Sequence, residues 1–299
     1  MKKVFIDGSA GTTGLRIRER LSSRADLELI VLSEKTRKDP EARRAALNSA
    51  DVAFLCLPDD AALEAVALVE NPETVIIDTS TAHRVNPDWA YGFPEIGDSR
   101  GKIAAAKRIA NPGCHASGFI ALVSPLVERG LLAADAPLCA FSLTGFSGGG
   151  KSMIADYEGN KHPGGRQYAL GQAHKHIPEM VKVCGLFQSP VFSPIVVPHY
   201  SGMEVTVQLH GADLAAIKDC YRDCYREGLV RFAEDASEGG FISSAALSGR
   251  DDMTVSAYGR DGRVILVSLF DNLGKGASGA AIQNMNLSLG VPEATGLVV

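Results

Sequence analysis

Cys114 stands in the stretch Asn111-Pro112-Gly113-Cys114-His115-Ala116-Ser117-Gly118, directly ahead of an apolar run from Phe119 to Leu132. Asn-Pro-Gly is turn chemistry, because proline fixes φ and glycine tolerates backbone conformations that other residues avoid. The spacing of Phe119, Ile120, Leu122, Val123, Leu126 and Val127 predicts a buried helix closing near Gly130. A cysteine between a turn and a helix N-terminus sits at the positive end of the helix dipole, where a thiolate is favoured. Such a thiol serves either as a nucleophile or as an inert packing group.

His174-Lys175-His176-Ile177-Pro178-Glu179-Met180 opens a helix that continues through Val181 and Val183. Two histidines and a glutamate suggest a metal, yet no third ligand joins them at helical spacing, so no metal is expected. The other readings are an acid–base histidine, His176, oriented by Glu179 one turn on, and histidines that merely pack. Asp78-Thr79-Ser80-Thr81-Ala82-His83-Arg84 leaves a strand at its carboxyl end, where open α/β sheets bind ligands. Ser80 and Arg84 would hold an anionic substrate there, unless they are an N-cap and a surface arginine.

The elements that position these groups begin with a strand at Lys3–Asp7, followed by Gly8-Ser9-Ala10-Gly11-Thr12-Thr13-Gly14 and a helical pattern from Leu15 to Leu21. Strand, glycine turn and helix place backbone N–H groups where a pyrophosphate binds, although the spacing is Gly-x-x-Gly-x-x-Gly and glycine turns also serve tight packing. Further strand–helix pairs are expected: Leu27–Leu32 with Pro40–Asn48, Val52–Leu57 with Asp60–Val69, then a strand at Thr74–Asp78. This β–α alternation predicts a doubly wound parallel sheet. Glu34 lies 20 residues after Gly14, where a carboxylate would hold a ribose hydroxyl, but Ser33, Lys35, Arg37 and Lys38 surround it. The net positive field favours the 2′-phosphate of NADP(H).

In the second half, Pro137–Phe146 reads as a strand leading into Gly145-Phe146-Ser147-Gly148-Gly149-Gly150-Lys151-Ser152, a literal match to the nucleotide-triphosphate loop pattern. We discount it, because no strand–helix–strand unit is expected after it. Strands follow at Val191–Pro198, Met203–His210, Thr254–Tyr258 and Val264–Phe270, predicting a mostly antiparallel sheet suited to homo-oligomer contacts. A helix is expected from Asp213 to about Ala233, with Leu214, Ile217, Tyr221, Cys224 and Phe232 on one stripe. Asp271–Asn286 is glycine-rich at its start, so its N-terminus approaches a ligand closely, with Asn272, Lys275 and Gly276 toward the cofactor. Ile282, Met285 and Leu289 would pack this helix back on the first domain.

The chain has 299 residues, enough for two domains, with 45% hydrophobic and 22% charged residues, as in ordinary globular proteins. A net charge of −5 without a dense basic run argues against nucleic acid. No apolar run reaches bilayer-spanning length, and Val4-Phe5-Ile6 is too short for a signal peptide core. Six scattered cysteines without a Cys-x-x-Cys pair fit reduced thiols in a cytoplasm.

Taken jointly, Gly8–Gly14, Asp78-Thr79-Ser80 with Arg84, Asn111-Pro112-Gly113-Cys114, His174–Glu179 and Gly274-Lys275-Gly276-Ala277-Ser278-Gly279-Ala280-Ala281 with Gln283-Asn284 resemble the N-acetyl-γ-glutamyl-phosphate reductases. The likeness is to their shorter variant, and more distantly to the aspartate-semialdehyde dehydrogenases. His115-Ala116-Ser117 stands where the longer variant carries Tyr-Pro-Thr. The resemblance implies a Rossmann domain over residues 1–113, completed by a C-terminal helix in 274–299. It also implies an α+β catalytic and oligomerisation domain over 114–273, as in the glyceraldehyde-3-phosphate dehydrogenase type of fold. It implies NADPH-dependent reduction of a small-molecule acyl phosphate in a homodimer or homotetramer, with Cys114 as nucleophile and His176 as acid–base group. Lys175 and His199 are then candidates, with Arg84, for substrate carboxylate and phosphate. An aspartate-semialdehyde dehydrogenase, and a dinucleotide-binding redox sensor that catalyses nothing, are the competing expectations.

Overall fold

The computed structural model describes residues 1–299, and the chain separates into two compact units. The first comprises Met1–Pro94, Asp98–Pro112 and Ala277–Leu297; the second comprises Glu95–Gly97, Gly113–Gly276 and Val298–Val299.

The first unit is built on β1 (Lys2–Asp7), β2 (Leu27–Ile30), β3 (Val52–Leu55), β4 (Val75–Asp78), β5 (Ala90–Tyr91) and β6 (Arg108–Ala110). All neighbours are parallel, in the order β2-β1-β3-β4-β6-β5. Successive strand residues point to opposite faces, so each strand feeds two cores. Val4, Ile6, Val52, Phe54 and Ile77 share one face with Ile17 and Leu21 of α1 (Thr12–Leu21). Phe5, Ala53, Leu55 and Ile76 share the other with α2 (Pro40–Ser49) and α3 (Asp59–Ala67). Near-continuous apolar strands are what a sheet covered on both sides requires. The strand order reverses direction between β1 and β3, and the carboxyl end of that point is the crevice where open α/β sheets bind ligands.

The expected strands at Leu27–Leu32 and Val52–Leu57 end two residues early, because the chain turns away once pairing with β1 stops. The C-terminal helix α9 (Gly279–Ser288) follows α4 (Ser99–Ala105) and the second unit's elements in the chain, yet buries Ala281, Ile282 and Met285 in the first core, as expected. Its approach is close: a Cβ on Gly92 would strike the Asn284 side chain, whose amide donates to the Gly92 carbonyl at 3.0 Å.

The second unit has a seven-stranded mixed sheet in the order β11-β12-β13-β10-β7-β9-β8. These are β7 (Cys139–Gly145), β8 (Arg166–Gln167), β9 (Val191–Val197), β10 (Met203–His210), β11 (Val230–Phe232), β12 (Met253–Arg260) and β13 (Arg263–Phe270). Pairing is antiparallel except for β7 with β9 and β11 with β12. Helix α5 (Cys114–Glu128) packs on β10 and β13 so tightly that a Cβ on Gly118 would overlap Val205 and Phe270.

Two expectations are corrected here. The helix expected to reach Ala233 is α8 (Leu214–Cys224), which stops because Gly228 turns at φ +96 and Val230 is taken into the sheet beside Met253. A strand–helix–strand crossover does follow the Gly145–Ser152 segment: β7 and the parallel β9 are joined through α6 (Gly150–Glu158) and α7 (Ile177–Cys184). The segment is still no open phosphate loop. Residues Phe146–Gly149 coil into a 3₁₀ turn, and the amides of Gly145, Phe146 and Ser147 already donate to the carbonyls of Gly202, His199 and Tyr200.

Candidate active site and dinucleotide site

Cys114 is the first residue of α5, with the extended Gly113 ahead of it and no side chain capping the helix. The positive end of the helix dipole is therefore left to whatever lies at the thiol. Residues His115 to Leu126 are buried whereas Cys114 is half-buried, so the sulfur sits where a solid helix meets open space. Gly276 backs it: an added Cβ there would lie 3.0 Å from the Cys114 Cβ and 3.1 Å from the Asp271 carbonyl. By contrast, burial pushes the Cys56 thiol up to about 12 and the Cys184 thiol higher still, which disfavours the thiolate at both.

Glu179, on the first turn of α7, is 1% exposed, and its Oε2 accepts from the Gly113 amide at 3.1 Å. This bond pins the turn that delivers Cys114, a role beyond the expected polarising of His176. His176 is buried at the N-cap of α7, its ring centroid 4.7 Å from that of His174 and 5.5 Å from that of His115.

The sequence reading passed over the rest of this cluster. His115 Nδ1 lies 2.6 Å from Ser142 Oγ, and its Nε2 lies 2.7 Å from the Tyr168 hydroxyl. Burial holds the His115 ring neutral by lowering its proton affinity well below the usual histidine value. Burial and the nearby Cys114 raise the Tyr168 phenol. No periodicity flags Tyr168, because it follows a two-residue edge strand inside a polar segment broken by Pro163-Gly164-Gly165.

The remaining candidates divide. The Ser80 hydroxyl donates to Asp78 at 2.7 Å, and the same carboxylate meets His83 Nδ1 at 2.6 Å, with Trp89 stacked on that ring. Arg84 is buried and donates to the carbonyls of Asn111 and Thr79, both at 3.0 Å, so it braces the turn ahead of Cys114. Lys175 is exposed; His199 is half-buried, with burial lowering its proton affinity and no hydrogen-bond partner for its buried Nε2. Asn272 accepts from the Gly202 amide and donates to Ser147. The Lys275 ammonium is wholly buried and held by both oxygens of Glu95 at 2.7 and 2.8 Å, so its charge is already spent.

In the first unit, Gly8 turns at φ +85, and a Cβ there would overlap the Cys56 carbonyl just past β3. The glycine turn therefore lies at the reversal point of the sheet. Gly14 is required by contact too, since its Cβ would stand 2.6 Å from the Gly8 carbonyl. Gly11 is not: only the Gly8 carbonyl lies near, at 3.5 Å, so its bareness leaves room outside the chain. Gly11 is also the N-cap of α1, without a side-chain cap, and Thr12 and Thr13 begin the helix. These features fit a dinucleotide pyrophosphate. A pocket runs from Asp7–Ala10 past Ile30–Leu32 to Arg37 and Lys38, with Arg18 added from α1. Arg37 pairs with Glu34 at 2.8 Å on the exposed loop, and Ser33 bonds Thr36.

Known proteins match along this division. A family model for the semialdehyde dehydrogenase NAD binding domain matches residues 3–105, and one for the semialdehyde dehydrogenase dimerisation domain matches residues 114–272. An N-acetyl-gamma-glutamyl-phosphate reductase of Brucella anthropi is 47% identical over 96% of this chain and 98% of its own. N-acetyl-gamma-glutamyl-phosphate reductase 2 of Pseudomonas putida is 42% identical over 98% of both chains. Among solved structures, aspartate semialdehyde dehydrogenase II of Vibrio cholerae superposes with a TM-score of 0.73 at 17% identity, covering 97% of this chain and 98% of its own. The Francisella tularensis aspartate semialdehyde dehydrogenase gives 0.74 at 14% over 96% and 99%. At such identities these two establish the fold alone. The chain is an oxidoreductase with a nicotinamide-dinucleotide-binding domain, and it belongs to the N-acetyl-γ-glutamyl-phosphate reductase family.

Proposed function

We propose that this enzyme reduces N-acetyl-γ-glutamyl phosphate to N-acetylglutamate 5-semialdehyde and phosphate, using NADPH, as a cytoplasmic homo-oligomer in arginine biosynthesis. The observation that carries the reading is Cys114: a half-buried thiol on the first residue of an uncapped helix, its turn held by Glu179, with the His176 ring 5.5 Å from that of the next helix residue, His115. The Cys114 sulfur attacks the acyl carbon, the bond to the phosphate oxygen breaks, and phosphate leaves with the electron pair. The acyl group then rests on Cys114 as a thioester. The dinucleotide, when bound, supplies the hydride that brings this thioester to the aldehyde level. His176 gives a proton to the developing oxyanion and takes it back as the C–S bond breaks and the thiolate returns.

The glycine turn Gly8–Gly14 would hold the pyrophosphate, and Arg37, with Lys38 and Arg18, the 2′-phosphate. For the oligomer, Tyr258, Ile265, Gln208, Cys139 and Val191 stand in one cross-strand row on a sheet face, with Ile265 40% and Val191 55% exposed. That row, apolar but for Gln208, suits a second copy of the chain. Curated relatives at 42–47% identity favour this substrate over aspartyl phosphate, whose dehydrogenases resemble the chain at 14–17%.

The test is to incubate the enzyme with the acyl phosphate in the absence of dinucleotide and locate the adduct by mass spectrometry. An N-acetylglutamyl mass on the Cys114 peptide is expected. An unmodified Cys114, or turnover of aspartate semialdehyde alone in the phosphorolytic direction, refutes the proposal.

A further inference from the structure

The geometry points to Tyr168 as a positioning residue that locks His174 in its neutral Nε2–H form and so ties the loop bearing His176 to the helix bearing Cys114. The inference rests on the role proposed above for His176. A backbone amide can only donate, and the His176 amide meets His174 Nδ1 at 3.1 Å, so that nitrogen carries no proton. A neutral His174 then bears its hydrogen on Nε2, which faces the Tyr168 hydroxyl at 3.4 Å. With its oxygen accepting, Tyr168 sends its own proton toward His115 Nε2 at 2.7 Å. His115 must in turn carry hydrogen on Nδ1, directed at Ser142 Oγ 2.6 Å away. Four hydrogen bonds thus run in one direction, from the amide of His176 to the hydroxyl of Ser142 on β7.

Tyr168 is well placed to hold the middle of this chain. Its amide donates to the Pro194 carbonyl at 3.1 Å, fixing it to β9, and Phe192 of the same strand closes edge-on against both His115 and His174. The consequence concerns the ring nearest His176. Held by donors and acceptors of fixed sense, His174 stays neutral, and no second cation stands 4.7 Å from the group that must carry the proton.

The test uses enzyme labelled with ¹⁵N-histidine and reads ring protonation by long-range ¹H–¹⁵N correlation. At pH 7, His174 is expected as the Nε2–H form and His115 as the Nδ1–H form. Tyr168→Phe, at a partly exposed edge position, should keep the melting temperature while shifting the His174 ring nitrogens. It should lower kcat about tenfold or more with KM within about twofold, as misplacement of a catalytic group does. A His174 that is charged or Nδ1-protonated in the wild type overturns the inference, as does a Tyr168→Phe enzyme with wild-type kcat. Failure of Cys114 to become acylated would instead strike the proposed reaction, and leaves the ring protonation pattern as a separate result.

Discussion

Replacing Lys275 by methionine should cost about 3–5 kcal/mol of stability, the usual penalty for stripping one partner from a buried ion pair. The Lys275 and Glu95 side chains are 0% and 1% exposed, and the ammonium spans both carboxylate oxygens at 2.7 and 2.8 Å. In the variant, Glu95 would keep the Leu229 amide at 3.1 Å, a neutral donor in place of the ammonium for a full charge out of water. Adding Glu95→Gln removes that charge and leaves an acceptor for Leu229, so the double variant should recover all but about 1–2 kcal/mol. Urea unfolding separates the units. The chain has one tryptophan, Trp89, which reports on the first unit, whereas far-ultraviolet circular dichroism also follows the second, where the loss should appear. A loss below about 1 kcal/mol would mean the pair is not desolvated. Undiminished stability with weakened dinucleotide binding would restore Lys275 to the cofactor and refute the reasoning.

Gly8→Ala should destabilise the first unit by at least about 2 kcal/mol and weaken dinucleotide binding, whereas Gly11→Ala should leave folding nearly unchanged; paired urea and binding titrations read both. Arg37→Ala should weaken NADPH about tenfold while sparing NADH, and equal losses would assign the residue to loop position instead of phosphate recognition. His115 binds protons less readily folded than unfolded, so its contribution is present above its ordinary value of 6.5 and is lost as pH falls below it. The urea-derived stability should therefore fall by up to about 1.4 kcal/mol per pH unit from near pH 6.5 downward, and His115→Gln should flatten that slope.

Much was legible in the chain because local rules governed it. Alternating apolar strands and helices specified the parallel sheet, since each strand's two faces are covered by the helices beside it in sequence. That Cys114 opens a helix was legible for a similar reason: turn, thiol and helix are consecutive, and the dipole acts within one turn. Even α9 disclosed its destination, because Ile282 and Met285 form a stripe that needs a core.

Long-range pairing decided the rest. Val230–Phe232 carries a helical stripe in sequence and becomes a strand because Met253–Val255 offers it backbone partners. Lys275 reads as a ligand-facing cation until a carboxylate 180 residues away proves to hold it. The amides of Gly145–Ser147 look available for phosphate until residues 199–202 consume them. The same holds for the hydrogen-bonded line through Ser142, His115, Tyr168 and His174, whose members come from a strand, a helix and one loop. Residue type and spacing therefore determined which segments form the strands, helices and turns that carry the candidate groups, because those depend on neighbours along the chain. Which charges are spent, which rings stay neutral and which amides are taken depended on partners brought together by folding, and no local pattern encodes them.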